Sequence, residues 1–134
     1  MEFGSSSEKM KNVFSDHERL EEMSSETYYD PKDLAHFSDI GEEAPELWRK
    51  FLDWYNAVFA EGALSEREKA LIALAVAHTV QCPYCIDAYS RDALEKGADL
   101  DQMTEAVHVA AAIRGGASLV HGLQMRGHAV KLSM

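Results

Sequence analysis

Residues 70–85 read ALIALAVAHTVQCPYC, an apolar run followed by a closely spaced pair of cysteines. Residues 70–80 are apolar nearly all round, which predicts a central, buried helix. Cys82 and Cys85 follow at once and are the only cysteines in the chain. Pro83 suits the first turn of a new helix. The sequence therefore predicts one helix that ends before the cysteine pair and another that begins at it.

The segments before this stretch also carry helical signals. Apolar residues on one helical face predict a helix from 44 to 59, with Pro45 in its first turn and Gly62 at its end. The residues 34–40 form a shorter segment that is also compatible with a helix. Ser65-Glu66-Arg67-Glu68 is a capping box that starts the helix over 70–80.

The segments after the cysteine pair continue the helical pattern, and no alternating strand pattern is present. We expect three helices here. The first runs to Lys96, with Gly97 as its C-cap, and the second runs from Asp99 or Asp101 through Ile113. Gly115-Gly116 breaks the pattern, and the third helix runs from Ala117 to Val130. The predicted fold class is all-α, a helical bundle.

The chain of 134 residues has the length of one domain. Residues 1–26 are polar and predict an N-terminal arm or tail, so we assign the folded domain to residues 27–134. The N-terminus lacks a basic region followed by an apolar core, which is the pattern of a secretory signal. We therefore expect a cytoplasmic protein, where a C-x-x-C pair is more often redox-active or metal-binding than structural.

The net charge of −10 argues against partners that carry dense negative charge. Nucleic-acid binding needs clustered Lys and Arg against phosphate, and anionic membrane surfaces also attract cations. No apolar run reaches the roughly 20 residues of a membrane span. We expect neither nucleic acid nor a membrane as a partner.

The spacing of Cys82 and Cys85 favours dithiol and disulfide chemistry. A helix start stabilises a thiolate through unpaired N–H groups and the helix dipole, which lowers thiol pKa values from about 8.5 toward neutrality. Cys82, nearer the helix start, would be the stronger thiolate on this ground. A pair of inert buried cysteines is the simplest alternative. A structural zinc site would need about two more ligands besides the two cysteines. His78 could be one of them, but the sequence has no second C-x-x-C. We therefore expect no metal.

Four other residues are candidates for proton transfer near the pair. Tyr89 lies four residues after Cys85, on the same helical face, and is either a proton donor or a core aromatic. His78 lies four residues before Cys82 and is either a base or a packed core histidine. Glu68 has a structural role in the capping box, whereas Glu66 could face the same cavity as the dithiol.

Several stretches together resemble the carboxymuconolactone decarboxylase family, and within it the alkylhydroperoxidase AhpD-like branch. They are Leu64–Glu68, Ile72–Val76, Cys82–Cys85, Leu94–Ala98, Glu105-Ala106 and Ala110-Ala111. The resemblance covers about residues 45–125. The chain is also similar to a peroxidase-like sub-branch associated with arsenosugar biosynthesis, through Ala77-His78, Ile86–Tyr89 and Ile113–Ala117.

The resemblance implies an all-helical AhpD-like fold, assembled as trimers or hexamers, and a thiol-dependent peroxidase or disulfide reductase activity without a cofactor. It makes Cys85 the cysteine that attacks the peroxide and Cys82 the resolving cysteine. The family's proton-relay glutamate falls at Ala70, and its histidine four residues after the second cysteine falls at Tyr89. Either Glu66 or Glu68, His78 and Tyr89 replace this relay, or peroxidase activity is weak.

The leading hypothesis is reduction of a small hydroperoxide, with an external dithiol as reductant. The alternatives are a decarboxylase or lactone-processing enzyme of the same fold and a non-catalytic oligomeric redox-sensing module. We also expect a homo-oligomer, a hexamer ahead of a trimer. The Ala- and Gly-rich segment 107–119 permits close helix approach, and the apolar helix over 70–80 needs more cover than one short chain provides.

Overall fold

The computed structural model describes residues 29–134. The predicted polar arm, residues 1–26, lies outside the described residues. The chain divides into two compact units, Met1–Asp33 and Leu34–Met134. In the described end of the first unit, the Asp30 carboxylate accepts a hydrogen bond from the Lys32 N–H at 3.0 Å. A 3-10 helix spans Pro31–Gly41, which covers the segment 34–40 that the sequence marked as helical.

Four α-helices follow, and no strand occurs within residues 29–134, as the all-α prediction required. They are α1 (Pro45–Phe59), α2 (Glu66–Val80), α3 (Pro83–Glu95) and α4 (Leu100–Leu132). None of these helices, nor the 3-10 helix in the same described part, combines the length and hydrophobicity that crossing a bilayer requires.

The ends of α2 and α3 share one backbone motif. Gln81 adopts φ +57°, and the Cys82 N–H donates to the Ala77 carbonyl at 3.1 Å. Gly97 adopts φ +85°, and the Ala98 N–H donates to the Ala93 carbonyl at 2.9 Å. This pairing of a left-handed residue with a bond reaching back five residues is the Schellman motif. It ends each helix sharply, so the next helix can begin within a few residues.

The N-termini of α2 and α4 are both closed by capping boxes. The Ser65 hydroxyl accepts from the Glu68 N–H at 3.2 Å, and the Glu68 carboxylate accepts from the Ser65 N–H at 2.6 Å. Asp99 and Gln102 form the same reciprocal pair at the start of α4. The capping box that the sequence predicted at 65–68 is therefore confirmed, and so is the structural role of Glu68.

The core lies where α2 packs on α3 and α4. Its buried members are small or flexible side chains: Ala70, Leu74, Ala93, Ala98 and Met103. Small residues let the helix axes approach closely, which is why α2 contacts both α3 and α4 along its length. The helix α1 contacts α2 only lightly.

The expectation that α2 is buried on nearly all sides is wrong for the single chain. Only Ala70, Leu74 and Ala77 are buried, whereas Ile72 is 50% and Val80 64% exposed. The reason is geometric: α3 and α4 cover one side of α2, and the light contact with α1 leaves the other side open.

The predicted break at Gly115-Gly116 is also wrong, because α4 runs without interruption from Leu100 to Leu132. A glycine inside a helix costs only about 1 kcal/mol relative to alanine, which long flanking helical segments can offset. The neighbouring Arg114 guanidinium donates to the Thr79 carbonyl at 2.8 Å and so joins α4 to the end of α2.

A first prediction concerns Gly97. Because Gly97 has φ +85°, the Gly97→Ala variant should lower the free energy of unfolding by about 1–2 kcal/mol, measured by urea titration at fixed protein concentration. Gly62→Ala is the matched control, since an added methyl there would meet only the Lys69 ammonium at 3.8 Å. Equal stability of Gly97→Ala and wild type would contradict the left-handed cap.

A second prediction concerns pH. Hydrogen bonds from the Ser65 backbone N–H and hydroxyl lower the pKa of Glu68 below its usual 4.5. A lowered folded-state pKa stabilises the fold above the ordinary value, and this contribution disappears as the pH falls through the folded value. Glu68→Gln should therefore be less stable than wild type at pH 7, and the difference should narrow below pH 4.5.

Thermal unfolding across this pH range would measure the effect. Glu66→Gln is the control, because Glu66 occupies the first position of the same helix but does not form the capping box. A Glu68→Gln deficit that stays constant from pH 7 down to pH 3 would contradict the assignment.

Candidate active site

The cysteine pair lies at the junction of α2 and α3. Cys82 is the N-cap of α3, and its sulfur accepts a hydrogen bond from the Cys85 N–H at 3.2 Å. Pro83 occupies the first turn, as the sequence predicted. The two cysteines form a disulfide, with their Cα atoms 5.2 Å apart. Both side chains are half-buried.

The two sulfurs occupy different environments. Cys82 uses its sulfur as the helix cap, so the Cys85 N–H and the positive end of the helix dipole are directed at it. Cys85 instead lines an apolar cavity of about 510 Å³. One sulfur is therefore placed where a thiolate is stabilised, and the other where a molecule can reach it.

The cavity lies between α1, α2 and α3, in the gap left by the light contact of α1 with α2. Its wall is almost wholly aliphatic or aromatic. The lining residues are Phe51, Trp54, Tyr55, Val58, Phe59, Leu64, Lys69, Ile72, Ala73, Val76, Ala77, Val80, Cys85 and Tyr89.

Aromatic contacts hold the wall of the cavity in place. Tyr89 stacks on Phe59 with ring centroids 5.4 Å apart and planes 17° from parallel. Phe59 in turn contacts Tyr55 at 4.8 Å. This series of aromatic contacts continues along α1 through Phe51 to Trp48. The Trp48 indole packs directly on Gly41, where an added β-carbon would lie only 2.6 Å from the ring. Burial and the nearby Asp92 raise the pKa of Tyr55 above its usual value.

The structure brings Tyr89 and Cys85 to the same cavity, as their spacing of four residues suggested. His78 lies in the last turn of α2, half-buried, where its Nδ1 donates to the Leu74 carbonyl at 2.8 Å. It is not one of the residues that line the cavity. Of the proton-transfer candidates, only Tyr89 shares a wall with Cys85.

The two candidate glutamates lie at the far end of α2 from the dithiol. Glu66 and Glu68 occupy its first turn, whereas Cys82 follows its last turn, which is about 20 Å along the axis. Glu68 is held in the capping box, and Glu66 is exposed. Neither carboxylate lines the cavity.

Ala70, at the position where the AhpD-like resemblance implies a relay glutamate, is completely buried in the core. Tyr89 packs against the same core cluster. A carboxylate at position 70 would therefore lose its hydration among apolar side chains. The alanine at position 70 instead packs in the hydrophobic core.

Lys69 is a lining residue that the sequence reasoning missed. Its ammonium donates to the Val58 carbonyl at 2.7 Å and also to the Ala60 carbonyl, so it caps the C-terminus of α1. A cation directly before the apolar run 70–80 was the available signal. Within residues 29–134, no group of three or more His, Cys, Asp or Glu side chains is arranged to hold a metal ion.

Comparisons with known proteins match this chain to one family and this fold. A family model described as the carboxymuconolactone decarboxylase family matches residues 45–125. A protein from Paracoccus denitrificans, described as uncharacterized protein 4 in the cox locus, is 42% identical over 91 residues, which cover 68% of this chain and 82% of that protein.

Two solved structures are also similar. A crystal structure of a protein from Methanobacterium thermoautotrophicum has 38% identity and a TM-score of 0.61, covering 63% of this chain and 94% of that one. The apo form of a carboxymuconolactone decarboxylase family protein from Legionella pneumophila has 30% identity and a TM-score of 0.56, covering 67% and 88%. The helical fold, the matched residues and these relatives agree: this chain belongs to the carboxymuconolactone decarboxylase family.

Proposed function

We propose that this protein is a thiol-dependent peroxidase and disulfide reductase that works through Cys82 and Cys85. The observation that carries the proposal is the division of the pair: Cys85 lines an apolar cavity, while Cys82 caps the helix beside it. A redox dithiol needs one sulfur that a substrate can reach and one that can close the disulfide. Membership of the family supports the general assignment.

The oxidative half begins with Cys85 as a thiolate. It attacks the distal oxygen of a hydroperoxide, the O–O bond breaks, and the alkoxide leaves and takes up a proton. Tyr89 is the proton donor that we assign, because it lines the same cavity as Cys85. The Cys82 thiol then attacks the Cys85 sulfenic acid, which forms the disulfide and releases one water.

The reductive half uses an external dithiol. Its thiolate attacks the Cys85 sulfur from the cavity side and forms a mixed disulfide, and Cys82 leaves as a thiolate. The Cys85 N–H, 3.2 Å from the Cys82 sulfur, stabilises that leaving thiolate. The second thiol of the reductant then releases Cys85. The sum is one hydroperoxide and one dithiol converted to alcohol, water and a disulfide.

In this cycle the two cysteines have different roles, each of which fits its environment. The helix start favours Cys82 as the better thiolate, whereas the family resemblance makes Cys85 the peroxide-attacking residue. A stabilised thiolate is also a good leaving group, so the position of Cys82 serves the reductive half, and access through the cavity gives Cys85 its role in the oxidative half.

A third prediction tests these roles. With a dithiol reductant present, Cys85→Ser should reduce hydroperoxide turnover to the uncatalysed rate. With no reductant present, Cys82→Ser should consume about one hydroperoxide per site and then stop, with a sulfenic acid on Cys85 that a dimedone label detects by mass spectrometry. Full turnover in the Cys85→Ser variant would disprove the proposal.

Tyr89 is tested separately. Tyr89→Phe keeps the stacked ring but removes the hydroxyl, and turnover should fall by roughly tenfold to a hundredfold, as when a general acid is lost. Tyr89→His restores an acid–base group at this position and should be faster than Tyr89→Phe. Equal rates in wild type and Tyr89→Phe would show that the proton comes from elsewhere, with His78 as the next candidate to replace.

We also propose that the protein works as a homo-oligomer, a hexamer ahead of a trimer. Beyond its contact with α2, the helix α4 exposes a long series of apolar side chains. They are Val109, Ile113, Leu119, Val120, Leu123, Met125, Val130 and Leu132. Exposed apolar surface on this scale is typical of subunit interfaces.

A fourth prediction follows. Light scattering should show that the wild type contains several copies of the 14.9 kDa chain. Ile113 is 67% exposed in the single chain, and Ile113→Asp would bury an unpaired charge in the subunit interface, so this variant should form smaller species. Thr104→Asp, on the exposed first part of α4, is the control. A wild type found only at 14.9 kDa would contradict oligomerisation.

A further inference from the structure

The second half of α4 extends past the end of α2. Arg114 donates to the Thr79 carbonyl in the last turn of α2, and α4 then continues over residues 115–132, which is about 27 Å. Apart from the half-buried Gly122, every residue of this segment is exposed. Helices in proteins gain most of their stability from the packing of one face, and the described residues 29–134 leave this segment almost uncovered.

Four glycines make the segment costly as a lone helix. They are Gly115, Gly116, Gly122 and Gly127, and each costs about 1 kcal/mol relative to alanine inside a helix. Within the described part of the chain, a β-carbon added at any of them would meet nothing within 4 Å. The fold of the single chain therefore gives no reason for glycine at these positions, whereas close approach of a second helix would give one.

One face of the segment has a pattern that is symmetric about Leu123. The face is formed by residues spaced three or four apart, namely Gly116, Leu119, Leu123, Gly127 and Val130. Gly116 and Val130 are each seven residues from Leu123, and Leu119 and Gly127 are each four residues from it. At both distances a glycine lies on one side of Leu123 and a large apolar residue on the other. None of the five positions is charged.

Two copies of this face fit together when the helices run antiparallel about a two-fold axis at Leu123. The partner's Val130 then lies against Gly116, and the partner's Leu119 lies against Gly127. Each exposed large side chain therefore meets the open backbone of a glycine, as a ridge meets a groove. A contact of this kind uses the same surface on both copies.

The length of α4 fits the same register. Leu123 lies at the middle of residues 115–132, so two antiparallel segments that cross there overlap along the whole part that extends past α2. The pairing covers a strip about 27 Å long and 10 Å wide on each copy, which is roughly 500 Å² in total. A stable dimer needs about 1,200 Å². This contact would therefore join copies that other surfaces already hold together.

We propose that residues 115–132 of two copies pair as antiparallel helices in this register, a contact that we name the α4 seam. A two-fold contact of this size can join two trimers into a closed hexamer. The inference rests on the proposed homo-oligomer but does not depend on the peroxidase chemistry.

The first test exchanges large and small side chains across the α4 seam in the full chain. Gly127→Leu places a second large side chain against the partner's Leu119, so light scattering should give half the wild-type mass. Adding Leu119→Gly to that variant restores one large and one small side chain at each contact, and the wild-type mass should return. Gly122→Leu is the matched control: Gly122 also has open space around it but lies about 100° from Leu123 around the helix, so its mass should stay at the wild-type value.

The second test determines direction and register. In a full chain whose native cysteines are replaced by serine, a single new cysteine can form a disulfide with its own copy only when the Cα atoms lie within about 7 Å. Leu123→Cys lies at the two-fold axis and should give covalent dimers on oxidation. Leu119→Cys and Val130→Cys would lie about 12 and 21 Å from their own copies along the axis and should give none. The size exchange keeps the native cysteines, so it tests the α4 seam independently of the cysteine-free chain.

Three results would overturn the inference: a wild-type mass for Gly127→Leu, an equal loss of mass in Gly122→Leu, or a mass that Leu119→Gly does not restore. Cross-links at 119 and 130 as strong as at 123 would also overturn it, since they indicate a parallel pair. Failure of the proposed function gives different results. A wild type found only at 14.9 kDa would disprove the homo-oligomer and the seam with it, whereas a seam that forms in a protein without hydroperoxide turnover would disprove only the peroxidase.

Discussion

The turn between α2 and α3 is the constraint on which the site depends. Gln81 adopts φ +57°, and the Cys82 N–H returns to the Ala77 carbonyl, so α2 ends at Val80 and α3 begins at Pro83. A connection this short leaves little freedom in the direction of α3. It places the sulfur of Cys82 at the helix cap and turns the face that carries Cys85 and Tyr89 toward α1. A longer or looser turn would not hold the two sulfurs in these separate environments.

That separation gives each half of a redox cycle the environment it needs. Hydrogen bonding and the helix dipole favour a charged sulfur at Cys82, whereas an apolar cavity disfavours charge but admits an organic molecule. Cys85 contributes to both environments: its side chain lines the cavity, and its backbone N–H donates to the Cys82 sulfur that caps the helix. In the proposed cycle the reactive sulfur is the accessible one, and the stabilised sulfur is the one that leaves during reduction.

Two cations connect the helices around this turn. Lys69 donates to carbonyls at the end of α1, and Arg114 donates to the Thr79 carbonyl at the end of α2. Each satisfies acceptors that a helix terminus leaves without a partner. Lys69 also lines the cavity, so the side chain that fixes α1 at the open side of α2 forms part of the cavity wall. Most of α4 also remains exposed in the single chain, and this surface is where the proposed subunit contacts would form.

Local sequence was enough to predict the helical class, the capping box at 65–68, the helix start at Cys82, the C-cap at Gly97 and the family. These features depend on hydrogen bonds and backbone preferences within a few residues, which local sequence encodes. The packing of the helices was needed to find that Cys85 and Lys69 line the cavity, that Ala70 is buried in the core and that Glu66 and Glu68 lie far from the dithiol. It also decided that α4 continues through Gly115-Gly116. Such outcomes depend on which helices, distant in sequence, cover each face, and on packing that outweighs the small local penalty of glycine.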